Sequence, residues 1–328
     1  MYVRKMAAAL GALTLLMTGC TATNSSETTD GIDAATAEGF PRTVTHSSGT
    51  TEIEDAPQRI VVLDMAALDT IDAIGAGDLV VGTVTVSVPT WLSDDEGIDY
   101  TSVESVGTLK EPDMEAIAKL NPDLVILGSR SATFYEDFSK VFTTIDTTHS
   151  WEDADYSATV PGTITLLGEA VGFDDESAQV ASDLEALMAS YKDTGADKGT
   201  ALVLMSNAGE ISLHDAGSRW APIYDVFGFA EAYEKDGADE GHQGEKVSFE
   251  TVKEINPDWL FVVDRDAAVG QAEAGDAAAQ VLDNELVRAT TAWQEDQVVY
   301  LSPERWYIVM TGASNFPAML TEIADAIQ

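Results

Sequence analysis

Two stretches of this chain repeat one pattern 135 residues apart, and each ends in an arginine. Met114-Glu-Ala-Ile-Ala-Lys-Leu-Asn-Pro-Asp-Leu-Val-Ile-Leu-Gly-Ser-Arg130 aligns without a gap on Phe249-Glu-Thr-Val-Lys-Glu-Ile-Asn-Pro-Asp-Trp-Leu-Phe-Val-Val-Asp-Arg265. Five of the 17 positions are identical and seven more pair apolar with apolar. A period this long is not a solenoid's; it describes two lobes of one architecture. Within each copy, a short amphipathic helix must stop at Asn-Pro, because proline restricts the residue before it and cannot continue the helix. The apolar run that follows reads as a strand buried on both faces. Its arginine then falls at the strand's carboxyl end, where open α/β sheets bind ligands. Two lobes with a cation at each binding edge imply a cleft that closes on an anion.

The charge balance sharpens that implication. Against 57 acidic residues stand only 17 basic ones, a formal charge of −40, which argues against nucleic acid or an anionic membrane surface as partner. An acidic surface suits a saline or extracellular setting. Because the chain has only eight arginines, those at strand ends are conspicuous. Its 328 residues suffice for two cored domains.

At the N-terminus, Arg4 and Lys5 precede an apolar run from Met6 to Met17, too short to span a bilayer but suited to a signal segment over 1–19. The run ends Leu16-Met17-Thr18-Gly19-Cys20, and Cys20 is the single cysteine. Small residues before a lone cysteine resemble the bacterial lipobox, in which that thiol is lipidated; Met17 stands where leucine is more usual. An ordinary cleaved signal with an incidental cysteine is the alternative. Residues 20–39, made mostly of Thr, Ala, Ser, Asp, Glu and Gly with almost nothing to bury, read as a flexible tether.

The body alternates strand and helix. A lead-in hairpin over Thr43–Thr45 and Thr51–Ile53 precedes a strand at Arg59–Asp64, a helix at Ala66–Ile74 and a strand at Leu79–Val84. After the first repeat copy, helix is expected at Phe134–Phe142 and strand near Thr143–Asp146. Long helical stretches at Val160–Val171 and Glu176–Tyr191 lack an intervening strand and form a linking region over 155–193. Thr200–Ser206 opens a second βα series with helices at Ile223–Phe227 and Ala277–Thr290, a strand at Val298–Leu301 and a terminal helix from Phe316. The fold expected is α/β, with parallel sheets in an N-terminal lobe (40–154) and a C-terminal lobe (194–328).

Taken together, the lipobox, "APQRIVVLD", "NPDLVILGSR", "NPDWLFVVDR", "AGSRWAPIYDVFGF" and "VLDNELV" resemble the iron-siderophore substrate-binding lipoproteins of ABC importers, closest to those taking catecholates. The likeness runs from Phe40 to the end. It implies two Rossmann-like lobes joined by one long helix, no enzymatic activity, no intrinsic cofactor, and a monomer delivering a ferric siderophore to a permease and its ATPase. Lipid attachment at Cys20 would hold it on the extracytoplasmic face of the membrane. The family's three cleft arginines fall on Arg130, Arg219 and Arg265, and its tyrosine on Tyr307.

The chemistry is sound. A ferric tris-catecholate carries about three negative charges, and guanidinium answers them with a planar fork that stacks and never loses its proton. Each contact contributes on the order of 4 kcal/mol of Coulomb attraction at 4 Å and an effective dielectric of 20, before desolvation. A structural ion pair is the competing role for Arg130 and Arg265, with Asp264 adjacent to the latter. Arg219 opens a predicted helix, the wrong end for the dipole. His242 lies near the position where the subgroup carries an iron-coordinating histidine beside the tyrosine, but Gln243 occupies the usual register, so Tyr307 alone remains the alternative. Trp220 and Trp306 flank the site, as wall or as core; Arg305 is a further flanking candidate. His46, His149 and His214 show no metal-ligand spacing.

Glu115 and Glu250, the repeat's shared acids, sit in helix first turns, where a carboxylate favours the dipole. In related importers such glutamates dock on permease arginines. Two other classes stay open: an enzyme, for which no Gly-x-Ser-x-Gly, cysteine nucleophile or phosphate loop is present, and a binder of haem or cobalamin.

Overall fold

The computed structural model describes residues 39–93, 97–150, 155–233, 244–270 and 276–328. Cys20, the signal segment, nearly all of the tether and His242 lie outside them. No helix among the described residues is long and apolar enough to cross a membrane.

β1 (Arg42–His46) and β2 (Gly49–Ile53) form the antiparallel lead-in hairpin. β3 (Ile60–Val62) is wholly buried, and Asp64 then caps α1 (Met65–Ala73) by accepting from the amides of Ala66 and Ala67 at 3.0 Å. β4 (Val80–Thr83), β5 (Glu104–Ser105), the small hairpin of β6 (Gly107–Thr108) and β7 (Glu111–Pro112), α2 (Met114–Leu120) and β8 (Leu124–Leu127) follow. The helix expected at 134–142 is shorter, α3 (Tyr135–Phe138), and β9 (Thr144–Asp146) closes the series. These strands make one five-stranded sheet in the order β5-β4-β3-β8-β9, every pair parallel.

Residues 155–193 hold the two helical stretches expected there. α4 (Tyr156–Val171) stops at Gly172, whose φ of +82° suits glycine, and α5 (Asp174–Tyr191) turns back against it. At 18 residues α5 is about 27 Å long and carries the chain to the second series.

That series contains β10 (Thr200–Asn207), β11 (Glu210–His214), α6 (Pro222–Asp225), β12 (Ala230–Glu231), β13 (Glu245–Val247), α7 (Phe249–Ile255), β14 (Trp259–Asp264), α8 (Arg265–Ala268), α9 (Asp276–Leu282), α10 (Thr291–Gln294) and β15 (Val298–Leu301). β10, β12, β14 and β15 pair in parallel, as expected, but β11 runs antiparallel to β10, and β13 to β11. The cause is a two-residue turn: Ala208 (φ +52°) and Gly209 (φ +80°) give the doubly positive geometry that joins tight hairpins. The helix expected over 277–290 breaks after Leu282, because the Asn284 carboxamide accepts from the amides of Leu286 and Val287 at 3.0 and 3.1 Å and holds a turn. A π-helix (Glu304–Val309) and α11 (Asn315–Ala326) end the chain. The turn before α11 returns to the first series, Ala313 N donating to Thr70 Oγ1 at 3.2 Å.

The repeat has a physical basis. Asn121 and Asn256 cap α2 and α7 in the same left-handed conformation, φ/ψ 48/61° and 49/60°. Asp123 Oδ2 accepts from the amides of Gln58 and Arg59 at 2.8 and 2.9 Å; Asp258 Oδ2 accepts from Thr200 N at 2.7 Å. Each Asn-Pro-Asp therefore ends a helix and pins the start of the neighbouring central strand, β3 or β10. The strand that follows pairs with it in parallel.

Candidate functional site

Arg130, Arg219, Arg265 and Tyr307 share one cavity of about 700 Å³. That size lies within the range of small-ligand sites. Arg130 follows β8 and Arg265 follows β14, so both occupy the carboxyl ends of parallel strands. Gly128 permits the first of these: a Cβ there would stand 2.9 Å from Thr147 Oγ1 and 3.0 Å from the Asp64 carboxyl. Arg219 comes from the connection between β11 and α6 and is 7% exposed.

All three guanidinium groups gather on one aromatic ring. Their Cζ atoms lie 4.7 Å (Arg219), 5.4 Å (Arg130) and 5.8 Å (Arg265) from the Tyr307 centroid. Arg130 Nη2 donates to the Tyr307 carbonyl at 2.9 Å, and Arg265 Nε donates to Tyr307 Oη at 3.0 Å. Arg265 Nη1 also donates to Asn207 Oδ1 at 2.9 Å. Burial by itself would raise the Tyr307 phenol, but Arg219, Arg265 and Arg130 together outweigh it and hold the phenol below its ordinary range. Burial also lowers Arg219 from its ordinary value, opposed by Tyr307.

The ion-pair alternative finds no support. Among the described residues neither Arg130 nor Arg265 forms a carboxylate salt bridge. Asp264 points elsewhere, its carboxylate accepting from Ala267 N and Ala278 N at 3.0 Å. The hydrogen bonds of both cations go to Tyr307 and to neutral oxygens, while the buried Asp64 carboxyl acts on Arg130 through space.

Trp220 and Trp306 are corrected from wall to core. Both are 0% exposed and neither lines the cavity. Trp220 Nε1 donates to the Trp306 carbonyl at 2.9 Å, and Trp306 Nε1 to Glu322 Oε2 at 2.6 Å, so the rings are held from behind the site. Trp220 still serves Arg219, whose Cζ lies 4.9 Å from its ring. Arg305 turns away onto Trp91, at 4.3 Å. Glu115 and Glu250 are exposed at the starts of α2 and α7; Glu115 pairs with Lys119 at 3.0 Å. The backbone amide of Glu250 and the Ser248 hydroxyl hold the Glu250 carboxyl below its usual range. Among the described residues no group of three or more His, Cys, Asp or Glu could hold a metal ion.

The family's sequence profile, described as periplasmic binding protein, matches residues 60–304. The chain belongs to the periplasmic binding protein family. It is 32% identical over 279 residues to the petrobactin-binding protein YclQ of Bacillus subtilis (strain 168), covering 85% of each chain. The structure of the iron uptake ABC transporter substrate-binding protein PiuA from Streptococcus pneumoniae superposes with a TM-score of 0.78 at 31% identity, over 87% of this chain and 98% of that one. The periplasmic catecholate-siderophore binding protein VctP from Vibrio cholerae gives 0.76 at 31% identity, over 87% and 99%.

In this periplasmic binding protein, sequence reasoning missed much of the cavity wall. Asp64, Thr147, Thr148, His149 and Asn207 all line it, at or just after the carboxyl ends of β3, β9 and β10. The strand-end rule that singled out the arginines applies equally to them. Lys110, at the tip of the β6–β7 hairpin, also reaches the cavity, and no sequence signal marks it.

Proposed function

We propose that this chain is the extracytoplasmic substrate-binding protein of an ABC importer, capturing an anionic ferric catecholate in the cavity of Arg130, Arg219, Arg265 and Tyr307. The observation that carries this reading is three guanidinium groups converging on one tyrosine ring in a protein of net charge −40. Three cations gathered at one cavity in so acidic a protein suit the entry of an anion. The names of YclQ and VctP, a petrobactin binder and a catecholate-siderophore binder, point the same way. Lobes 40–154 and 194–328 grip the ligand from either side of region 155–193. Tyr307, with its lowered phenol pKa, supplies an oxygen donor when the ligand leaves iron unsaturated, since hard ferric ion accepts phenolate readily. Cys20 carries the lipid anchor, and Glu115 and Glu250 dock on the permease.

Fluorescence titration of the purified chain against ferric catecholate, ferric hydroxamate and ferric citrate tests the proposal. Tight, saturable quenching by the catecholate alone is expected. Preference for either of the others, or no binding to any, rejects it.

A further inference from the structure

Tyr307 rides on the π-helix Glu304–Val309, a wound-out turn of the kind often found at functional sites. Such a turn needs something to hold it. Its closing bond runs from Met310 N to the Arg305 carbonyl at 2.8 Å, and Met310, which lines the cavity, is forced to φ/ψ 54/−101°. Both ends of this turn are gripped by one side chain. Asn315 is 0% exposed; its Nδ2 donates to the carbonyls of Met310 at 2.8 Å and Arg305 at 3.1 Å, while its Oδ1 accepts from Arg305 Nη1 at 3.0 Å.

Asn315 is itself anchored across the fold. Asp69, 0% exposed on α1, accepts from Asn315 N at 3.0 Å, Ser314 N at 2.8 Å, Ser314 Oγ at 2.6 Å and Trp91 Nε1 at 2.9 Å. The turn that carries Tyr307 is thereby referenced to α1 in the first series, although its own strand, β15, belongs to the second sheet.

We propose that Asn315 is a positioning residue: its buried carboxamide, anchored on Asp69, holds the strained π-turn so that the Tyr307 phenol stands among the three arginines and faces the iron of the ligand. The inference rests on the functional reading above for its ligand, but the geometry of the phenol can be read without one. Asparagine suits the task because it carries two N–H donors for two carbonyls and an acceptor for the arginine. An aspartate would offer no donor.

Asn315→Ala is the direct test, and Asn315→Leu, of nearly equal bulk, serves where alanine leaves too large a cavity. In the ligand-free protein, the Tyr307 ionisation is read as the near-ultraviolet phenolate titration of each chain minus that of its Tyr307→Phe counterpart. Loss of the clamp is expected to move that ionisation to higher pH, because the phenol leaves the arginines. With ligand, the probes are the ferric complexes of a tetradentate bis(2,3-dihydroxybenzamide) and a hexadentate tris(2,3-dihydroxybenzamide). The variant is expected to weaken the tetradentate complex about tenfold, weaken the hexadentate one less than about twofold, and shift the phenolate-to-iron absorption band. In a Tyr307→Phe background the same substitution should change tetradentate affinity by less than about twofold, since two residues acting through one contact are not additive. A folded variant with unchanged titration and unchanged band overturns the proposal. So does equal weakening of both probes that persists without the phenol, which would mark Asn315 as a general packing residue. Failure of the wild-type chain to bind either probe would instead sink the ligand reading, and the ligand-free titration would still decide the role of Asn315.

Discussion

Tyr307 and its three arginines work as a unit, so their substitutions should differ in kind. Truncating Arg130, Arg219 or Arg265 to alanine removes charge-assisted hydrogen bonds worth roughly 1.5–3 kcal/mol each, and ferric catecholate affinity should fall about ten- to a hundredfold by fluorescence quenching. Lysine should rescue poorly, because a point charge cannot replace a stacking fork. Tyr307→Phe should spare a hexadentate ligand and weaken a tetradentate one. Arg219 is the largest influence lowering the phenol, so Arg219→Gln should raise the pH at which Tyr307 ionises, as read by phenolate absorbance. The sign follows from the anion being the favoured form: with the folded pKa below the unfolded one, the phenolate's stabilisation is present above the unfolded value and lost as pH falls through the folded one. At this scale the sequence was legible where chemistry is rare. Eight arginines in an acidic chain advertise themselves. The threonines and Asn207 of the wall do not, because such residues are common at strand ends for many reasons.

The Asn-Pro-Asp repeat shows how an element's end can organise its neighbour. Asp258 accepts from both the amide and the hydroxyl of Thr200, at 2.7 and 3.0 Å. Asp258→Ala should therefore lower stability by about 1–2 kcal/mol in a urea melt while leaving ligand affinity near wild type, since Asp258 lies outside the cavity. If affinity fell with stability unchanged, the repeat would serve the site rather than the fold. Buried strands and amphipathic helices were legible because their periodicity is local. The antiparallel β11 was not: its parallel neighbours dominate the pattern, and the turn that reverses it uses Ala208, where an asparagine would have signalled a hairpin. Nor was the π-turn legible, since its grip comes from Asn315 and, through it, from Asp69.

Seen as one molecule, the chain should separate anchoring, docking and capture. Cys20→Ala should release the protein from cells into the medium without changing the affinity of the purified chain; continued cell association would remove the lipid anchor from the account. Reversing Glu115 and Glu250 to lysine should abolish uptake of labelled ligand and spare binding, because both carboxylates lie on exposed helix starts away from the cavity. Lost binding, or normal uptake, would count against docking. The sequence by itself determined the duplication, the strand-end arginines and the excess of acid, because each is written in local periodicity, residue type or count. Only the tertiary structure decided that the tryptophans are core, that Asp264 leaves Arg265 unpaired by carboxylate, and that three guanidiniums share one ring. The reason is distance along the chain: Tyr307 stands 177 residues from Arg130 and 42 from Arg265, and contacts at such separations depend on how whole elements pack, which no local pattern encodes.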